Sequence, residues 1–560
     1  MLRSIGLMGT VCTLLLSVLS FESNAFASGP YTIGSANTVT ADPNVGRPSS
    51  TPCIVELFKN ASFYDFNVEN FSYTPPAECP GPWQKVVLEA DINLNAGVQY
   101  DRTANFWLGP VNIYFGTTAE PSPNLGPSWH IENDLTDYSS IFYTAQSGQA
   151  DIGNTLCCGL TSTIYASAAL EFYPVPSGQP TPQSADQVYA LSAGPSGGTV
   201  TLNTGTDALA ATFTLPANVQ GAYLDVYAQG QSTDEFWYTC VPNDVATELQ
   251  SCSNTAFRET EITIDGQPAG VAPVFPWIFT GGIDPYLWFP IPGVQTLDMI
   301  PYRVNLTPFA GLLSNGQPHT VSLSVYNADS YFSATASLLI YLDHNATQVT
   351  GAVTQNTLTS PSPTVTENLH VNSNYIRGNV VVASNRNFVI SGYANTSHGK
   401  VTTKVSQTVN FSSNEFFTIT ANQYLQEISQ TSKISSTTSI AGGKEQPEVT
   451  TQTYNFPLNL DINELVQSDG DINQTTTADQ NYTATVNTTQ NGQSVFSSSM
   501  VNTAQHQDTL EFDSSFNLLG NTGQSAAQQY NYSNSGGINY ECDLTAAANV
   551  LTAFSPTCAQ

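Results

Sequence analysis

An all-β fold is what this sequence predicts, and three observations carry the prediction. Apolar and polar residues alternate with a period of two in runs such as 111–115, 222–227 and 262–264, the pattern of strands with one buried face. Turn-forming residues punctuate these runs, with 39 glycines and 33 prolines in the 560-residue chain. Helical periodicity of useful length is missing beyond the first 27 residues. The expected architecture is two tandem eight-stranded antiparallel jelly-roll sandwiches followed by a C-terminal β-rich domain.

The elements follow in chain order. Residues 1–27 open with Met1-Leu2-Arg3, pass through an apolar stretch at 11–19 and end on the small-x-small pattern Ala25-Phe26-Ala27. That pattern reads as a secretory signal peptide, so a secreted or periplasmic protein is expected. No later segment has the ~18 uninterrupted apolar residues of a membrane helix, and no membrane partner is predicted. A Pro/Ser/Gly stretch at 174–198 separates two units, 28–190 and 191–350, each of a size that suits one sandwich. TSPSPT marks a predicted linker at 351–366. Residues 367–560 are rich in Ser, Thr, Asn and Gln, but they alternate at 379–382 and 388–390 and carry Phe416-Phe417-Thr418-Ile419. An accessory β-domain is therefore expected there rather than a disordered tail.

Nine cysteines are present, and Cys12 falls in the signal peptide, leaving an even eight that suit an oxidising compartment. Cys53–Cys79, Cys240–Cys252 and Cys542–Cys558 each close a local loop; the adjacent Cys157-Cys158 then either bridge each other or split to other partners. No C-x-x-C spacing occurs, and the six histidines show neither H-x-H nor H-E-x-x-H, so neither a metal nor another cofactor is predicted. Gly194-Pro195-Ser196-Gly197-Gly198 matches G-x-S-x-G in letters only, since no helix follows to make a nucleophile elbow. Net charge is −31 at pH 7, which excludes nucleic acid as a partner. With only 13 lysines and arginines and six histidines, the chain gathers little self-repulsion once its carboxylates are protonated, and acid tolerance follows.

The densest chemistry lies in residues 99–123, QYDRTANFWLGPVNIYFGTTAEPSP. An isolated Asp-Arg pair at a strand start is ordinarily a solvated ion pair. Here Asp101-Arg102-Thr103-Ala104-Asn105 opens a strand-like run and is followed by GPSWHIENDLTDYSS at 126–140. Further on stand TDEFWYTC at 233–240, FRETEITIDGQ from Phe257, FPWIFTGGIDPYLWFPIPG at 275–293 and YRVNLTPF at 302–309. In that order and spacing these segments resemble the glycoamidases, the peptide:N-glycosidases. The resemblance to the acidic A-type runs through nearly the whole mature chain; to the bacterial F-type it covers the first two units in patches.

The resemblance implies hydrolysis of the amide joining asparagine to the first N-acetylglucosamine of N-linked glycoproteins and glycopeptides, with intact glycan released and aspartate left behind. It implies Asp101 as the principal catalytic residue and Glu235 as the second, orienting water or the amide. Asp234 stands beside Glu235 and the tryptophan follows one residue late, at Trp237, so the register between the two acids stays open. Arg102 is expected to hold a substrate carbonyl or steer Asp101, and Trp237 and Trp288 to offer flat faces to sugars. Glu120, Trp129 and His130, with Glu132 and Asp134 nearby, are candidates for the glycan groove. A further F-type carboxylate has no convincing partner between Ser147 and Leu156. Tolerance of core α1,3-fucose follows from the A-type resemblance, an acid optimum is expected, and the enzyme is expected to work as a monomer. A glycan-binding adhesin, and a glycoside hydrolase using Asp101 and Glu235, are the competing readings.

Overall fold

The computed structural model describes residues 31–444 and 446–559; the predicted signal peptide and Cys12 lie outside them. The first sandwich is made of β1 (Cys53–Phe63), β2 (Val68–Tyr73), β3 (Trp83–Leu94), β4 (Thr103–Leu108), β5 (Val111–Thr117), β6 (Ser128–Asp134), β7 (Gln146–Ile152) and β8 (Ile164–Pro174). Its two sheets run β1-β8-β3-β6 and β2-β7-β4-β5, all antiparallel, the double Greek-key order of an eight-stranded jelly roll. Inward residues such as Phe63, Phe106, Tyr114 and Phe172 fill the space between the sheets.

The second sandwich repeats this plan. It comprises β9 (Gln187–Leu191), β10 (Val200–Leu202), β11 (Leu209–Thr214), β12 (Val219–Gln231), β13 (Glu259–Ile264), β14 (Gln267–Pro273), β15 (Tyr302–Asn305), β16 (Pro318–Tyr326) and β17 (Tyr331–Leu342). The sheets are β10-β17-β12-β15 and β11-β16-β13-β14, again the jelly-roll order. Nine strands replace the expected eight because β9 and β10 pair with successive stretches of β17. They are one edge position interrupted by the Pro/Ser/Gly loop that the sequence offers as a domain boundary. The boundary thus lies before β9 rather than after residue 190.

The tail is a single antiparallel sheet of eleven strands from Thr350–Asn356 to Val550–Phe554, a meander whose central strands run 17 to 22 residues. The predicted linker at 351–366 is largely strand: Thr350–Asn356 and Thr364–Val371 pair in succession along Tyr375–Thr396, again an interrupted edge. One face of the sheet is apolar, and it joins the core of the second sandwich. Phe411 packs on Trp237 and Phe257, and Phe456 on Phe275. The other face carries the Ser/Thr-rich half of the alternation, with cross-strand threonine pairs such as Thr450–Thr488 at 3.0 Å. That alternation explains how so polar a segment folds: half its residues never enter the core. It also corrects the picture of a separable accessory domain, because sheet and sandwich share one hydrophobic cluster.

A strap at residues 31–50 ties the parts together. Ala41 N–H donates to Gln528 Oε1 (2.7 Å) and Asp42 accepts from Asn502 Nδ2 (2.8 Å), while Arg47 pairs with Glu89, Glu132 and Glu171 on the first sandwich. Disulfides link Cys53–Cys79, Cys240–Cys252 and Cys542–Cys558; Cys157 and Cys158 are exposed free thiols, neither bridged to each other nor split to other partners. Among the described residues no helix is long and apolar enough to cross a membrane.

Candidate active site

Strand pairing places the first two acids. β4 and β5 form a hairpin with Thr103 opposite Thr117, so the residues just beyond the paired ends, 101–102 and 118–120, face each other. Thr118 N–H donates to Arg102 O (2.9 Å), Arg102 N–H to Thr118 Oγ1 (2.9 Å), and Asp101 N–H to Glu120 Oε1 (3.2 Å). Glu120, buried, is braced from the second sandwich: its N–H donates to Thr280 Oγ1 (3.1 Å), and that hydroxyl donates to Thr118 O (3.0 Å).

The third acid comes from β12. That strand runs into a short 3-10 turn, Ser232–Thr239, which carries Glu235. Thr103 Oγ1 donates to Gln229 Oε1 (3.0 Å) and accepts from Gln231 Nε2 (3.3 Å), fastening the start of β4 to the end of β12. Asp234 and Glu235 then divide cleanly. Asp234 is sealed in the interior, bound by Arg258 (Nε to Oδ1, 2.9 Å) and by the N–H groups of Asp329 (2.8 Å) and Ser330 (2.9 Å). Glu235 instead feels the charges of Asp101 and Glu120.

Burial raises all three acids, and repulsion from neighbouring carboxylates adds to it at Glu120 and Glu235. Glu120 is pushed up to about 8 by burial and by the Asp101 charge, and Glu235 to about 8 by burial, Asp101 and Glu120. Burial raises Asp101 too, opposed by the Gly281 N–H, which donates to its Oδ2 at 3.1 Å, and by the Arg102 guanidinium. Three acids sharing one seam between two domains cannot all be charged near neutrality, so the site holds both carboxylate and carboxylic acid at once. Arg102 donates through Nη2 to Gln99 Oε1 (2.7 Å), and its buried Nε, like the buried Tyr238 hydroxyl, has no hydrogen-bond partner among the described residues. Tyr238 lies within the field of Glu235 and Asp101.

The remaining candidates lie elsewhere. Trp237 and Trp288, each 3% exposed, are core residues: Trp237 packs on Tyr238 and Phe411, and Trp288 on His506 with its Nε1 donating to Gly282 O (2.9 Å). Neither offers an open face to a sugar, which corrects that expectation; large aromatics in a sandwich are drawn inside by the area they bury. Trp129, 7% exposed, is enclosed in the first sandwich. His130 is paired through Nδ1 with Asp91 (2.8 Å) and through Nε2 with Glu132 (3.1 Å), and these acids raise it to about 9 against its burial. Glu89, His130 and Glu132 approach closely enough to grip a metal, but Arg47 already pairs with both glutamates. Trp129 and His130 line a 1260 Å³ cavity bounded by the strap, β3, β6 and residues 293–303, and Asp101, Glu120 and Glu235 are not among its lining residues. The groove residues of the sequence reading therefore split: Glu120 joins the carboxylates, while Trp129 and His130 do not.

Residues 42–359 match the family model described as peptide N-acetyl-beta-D-glucosaminyl asparaginase amidase A. The chain belongs to this family. Over 386 residues it is 30% identical to peptide-N4-(N-acetyl-beta-glucosaminyl)asparagine amidase A of Prunus dulcis, a match that covers 64% of this chain and 66% of that protein's length. Among solved structures it is similar to PNGase F, a glycosylasparaginase from Flavobacterium meningosepticum, at 15% identity and TM-score 0.35, covering 52% of this chain and 96% of that one. It is similar also to PNGF-II, at 12% identity and TM-score 0.37, covering 52% and 65%. These likenesses are too remote to transfer any residue's role.

One member of the site carries no side chain. An ideal Cβ on Gly281 would fall 2.2 Å from Glu120 Oε1 and 3.5 Å from Asp101 Cγ, so only glycine lets the backbone reach both acids. Its signal was present in Thr280-Gly281-Gly282, a small-residue break inside the aromatic 275–293 segment.

Proposed function

We propose that this amidase A family member is a secreted hydrolase that cleaves the asparagine–N-acetylglucosamine amide of N-linked glycoproteins and glycopeptides, releasing intact glycan and converting Asn to Asp. The observation that carries the reading is the clustering of three acids at the seam of the two sandwiches: Asp101 accepts the Gly281 N–H, Glu120 accepts the Asp101 N–H, and Glu235 lies within the field of both.

Amide hydrolysis needs an activated water and a protonated leaving nitrogen. Asp101 is the base: the Gly281 N–H and the Arg102 charge favour its ionised form over its neighbours'. Water gives a proton to Asp101 and its oxygen bonds the amide carbon. The carbon–nitrogen bond then breaks with its electron pair going to nitrogen, which takes the proton held by Glu235 and departs as a glycosylamine. Glu120, whose Oε1 accepts the Asp101 N–H, fixes the base, and the Arg102 guanidinium beside it favours its ionised form. The division of labour requires Asp101 ionised and Glu235 neutral. Activity therefore falls in acid as Asp101 protonates, and falls above about 8 as Glu235 ionises, leaving a working range on the acid side of that limit. Tolerance of core α1,3-fucose, export and a monomeric state complete the reading; the first two rest on resemblance and on the leader sequence. Mass spectrometry of a treated glycopeptide is the test. Conversion of Asn to Asp with the whole glycan released is expected; an N-acetylglucosamine left on Asn would replace the reading with a glycoside hydrolase, and unaltered substrate with a glycan-binding protein.

A further inference from the structure

Three loops at the Asp101 end of the first sandwich, residues 64–68, 98–100 and 154–162, present an apolar surface that the carboxylates do not use. The third loop laces the other two together. Phe66 N–H donates to Asn154 O (2.7 Å) and Leu156 N–H to Tyr64 O (2.9 Å), while Thr161 N–H donates to Val98 O (2.8 Å) and Gln99 Nε2 to Thr155 O (3.0 Å). On this frame Tyr64, Phe66, Val68, Val98, Tyr100 and Leu156 are all exposed, Phe66 by 63% and Tyr100 by 60%. Single exposed apolar residues need no explanation, but a contiguous group marks an interaction surface.

Two features separate this group from incidental exposure. Phe66 has φ +53°, in the left-handed region that bulky residues avoid, so the chain accepts backbone strain to hold an aromatic ring in water. The surface is also continuous with the site. Tyr100 precedes Asp101 directly, its ring centroid lies 5.8 Å from the Arg102 guanidinium, and Gln99 both anchors the third loop and accepts from Arg102 Nη2 (2.7 Å).

We propose that this rim binds the polypeptide flanking the glycosylated asparagine, through aromatic or aliphatic side chains of that polypeptide. The inference rests on the amidase reading above. The scissile bond joins two polymers, and the rim's chemistry selects between them. Tyr64, Phe66 and Tyr100 could stack on either polymer, but Val68, Val98 and Leu156, interspersed among them, give nothing to the hydroxyls of a sugar and gain by burying apolar peptide side chains. An extended or unfolded substrate that exposes such residues beside its glycosylated asparagine is the class preferred.

The test uses the whole chain and three terminally blocked glycopeptides bearing one glycan: a minimal glycine-flanked peptide, a longer glycine-flanked peptide, and the longer peptide with phenylalanine and leucine beside the asparagine. The apolar peptide should show a KM lower by about tenfold, the scale of one well-buried side chain, with kcat unchanged. Phe66→Asn, which suits the left-handed backbone, and Leu156→Gln should each reduce that advantage while leaving the glycine-flanked substrates unaffected. Equal KM for all three peptides would overturn the proposal, as would variants that slow all substrates alike. Weaker inhibition by free glycan in the variants would overturn it too, assigning the rim to the sugar. Failure of the unaltered protein to release glycan from any of the three would instead sink the amidase reading, and this one with it.

Discussion

Gly281→Ala is the sharpest probe of the site, because the consequence of one methyl group can be worked from the structure. The added Cβ would lie 2.2 Å from Glu120 Oε1 and 3.0 Å from its Cδ. Ordinary contact requires the carboxylate to retreat by about 1 Å. No left-handed backbone is involved at this glycine, so the whole effect is one of space. Because the obstructing atom ends a flexible side chain, the fold yields cheaply, at about 1 kcal/mol for a displaced rotamer. The site does not. Glu120 Oε1 is the acceptor for Asp101 N–H, and the Gly281 N–H itself holds Asp101 Oδ2, so the shift is delivered to Asp101, the proposed base. A misplacement of that size costs about 10²-fold in turnover. Glycan release from a labelled glycopeptide and thermal denaturation should therefore part company, with kcat falling about a hundredfold and the melting temperature moving by about 2 °C. A cycle with Glu120→Ala supplies the control. Once the carboxylate is gone, the nearest of the neighbours the new Cβ would meet is Asp101 Cγ at an ordinary 3.5 Å, and adding Gly281→Ala should cost little more. Full activity in the single variant, or an equal cost in both backgrounds, refutes the geometry proposed for the cluster.

Other substitutions separate catalysis from stability. Asp101→Asn and Glu235→Gln should each abolish or sharply reduce release at near-wild-type melting temperature, whereas Asp234→Asn should destabilise by about 3 kcal/mol, because it strands the buried Arg258 charge; an inactive but stable Asp234→Asn protein would reverse the two roles. Stability should fall as pH rises from about 4 to 8. Burial raises Asp42 to about 6 and Asp298 and Glu415 to about 8, so the native state keeps protons that the unfolded chain releases from about pH 4 upward. His506, lowered by burial to about 4, acts in the opposite sense below its ordinary value and trims the gain in acid. Melting curves should thus show a higher midpoint at pH 5 than at pH 8, with a shallower slope in Asp298→Asn; a midpoint that climbs between those values contradicts the assignment. Removing residues 351–560 should yield insoluble protein, since the second sandwich would expose the face now covered by Phe411, Phe417 and Phe456; a soluble, active fragment ending at residue 350 would show that the shared core is dispensable.

What the sequence made legible depended on how locally each feature is written. Strand period and turn residues are local, and they yield the two sandwiches even though the edge strands β9–β10 and the pair at 350–371 are interrupted by the very Pro/Ser loops that read as boundaries. The three disulfides that close short loops were legible in the same way. Asp101 and Arg102 announced themselves through an ordered motif. The division between Asp234 and Glu235 did not, because it is set by Arg258 and by backbone at 329–330, far along the chain. Tryptophans misled for a related reason: an aromatic beside an acid is equally a sugar platform and a core residue, and only the arrival of the tail sheet, through Phe411 and His506, decides for the core.

The architecture explains why the site needs more than one sandwich. A jelly roll alone presents strand ends to water, where an aspartate keeps an ordinary affinity for protons. Here the first sandwich supplies Asp101 and Glu120 from one hairpin, and the second covers them with Thr280, Gly281 and the Glu235 turn. That covering removes water and sets like charges side by side, the two effects that lift Glu120 and Glu235 to about 8. The loop that carries Gly281 is held in turn by the tail: Gln480 Nε2 donates to Pro276 O (2.6 Å), its Oε1 accepts from Val294 N–H (2.7 Å), and Gln524 Nε2 donates to Phe289 O (2.5 Å). Gln480 is therefore a positioning residue at one remove. Gln480→Leu keeps the bulk and deletes both hydrogen bonds, which frees the loop's hold on Gly281. If the tail sheet tunes the acids through this loop, the variant should move the alkaline limb of the pH–rate profile toward lower pH, as a loosened cover lets water back and Glu235 ionises more readily. A merely structural role would lower the melting temperature and leave that limb where it was, and that outcome would refute the link between tail and site.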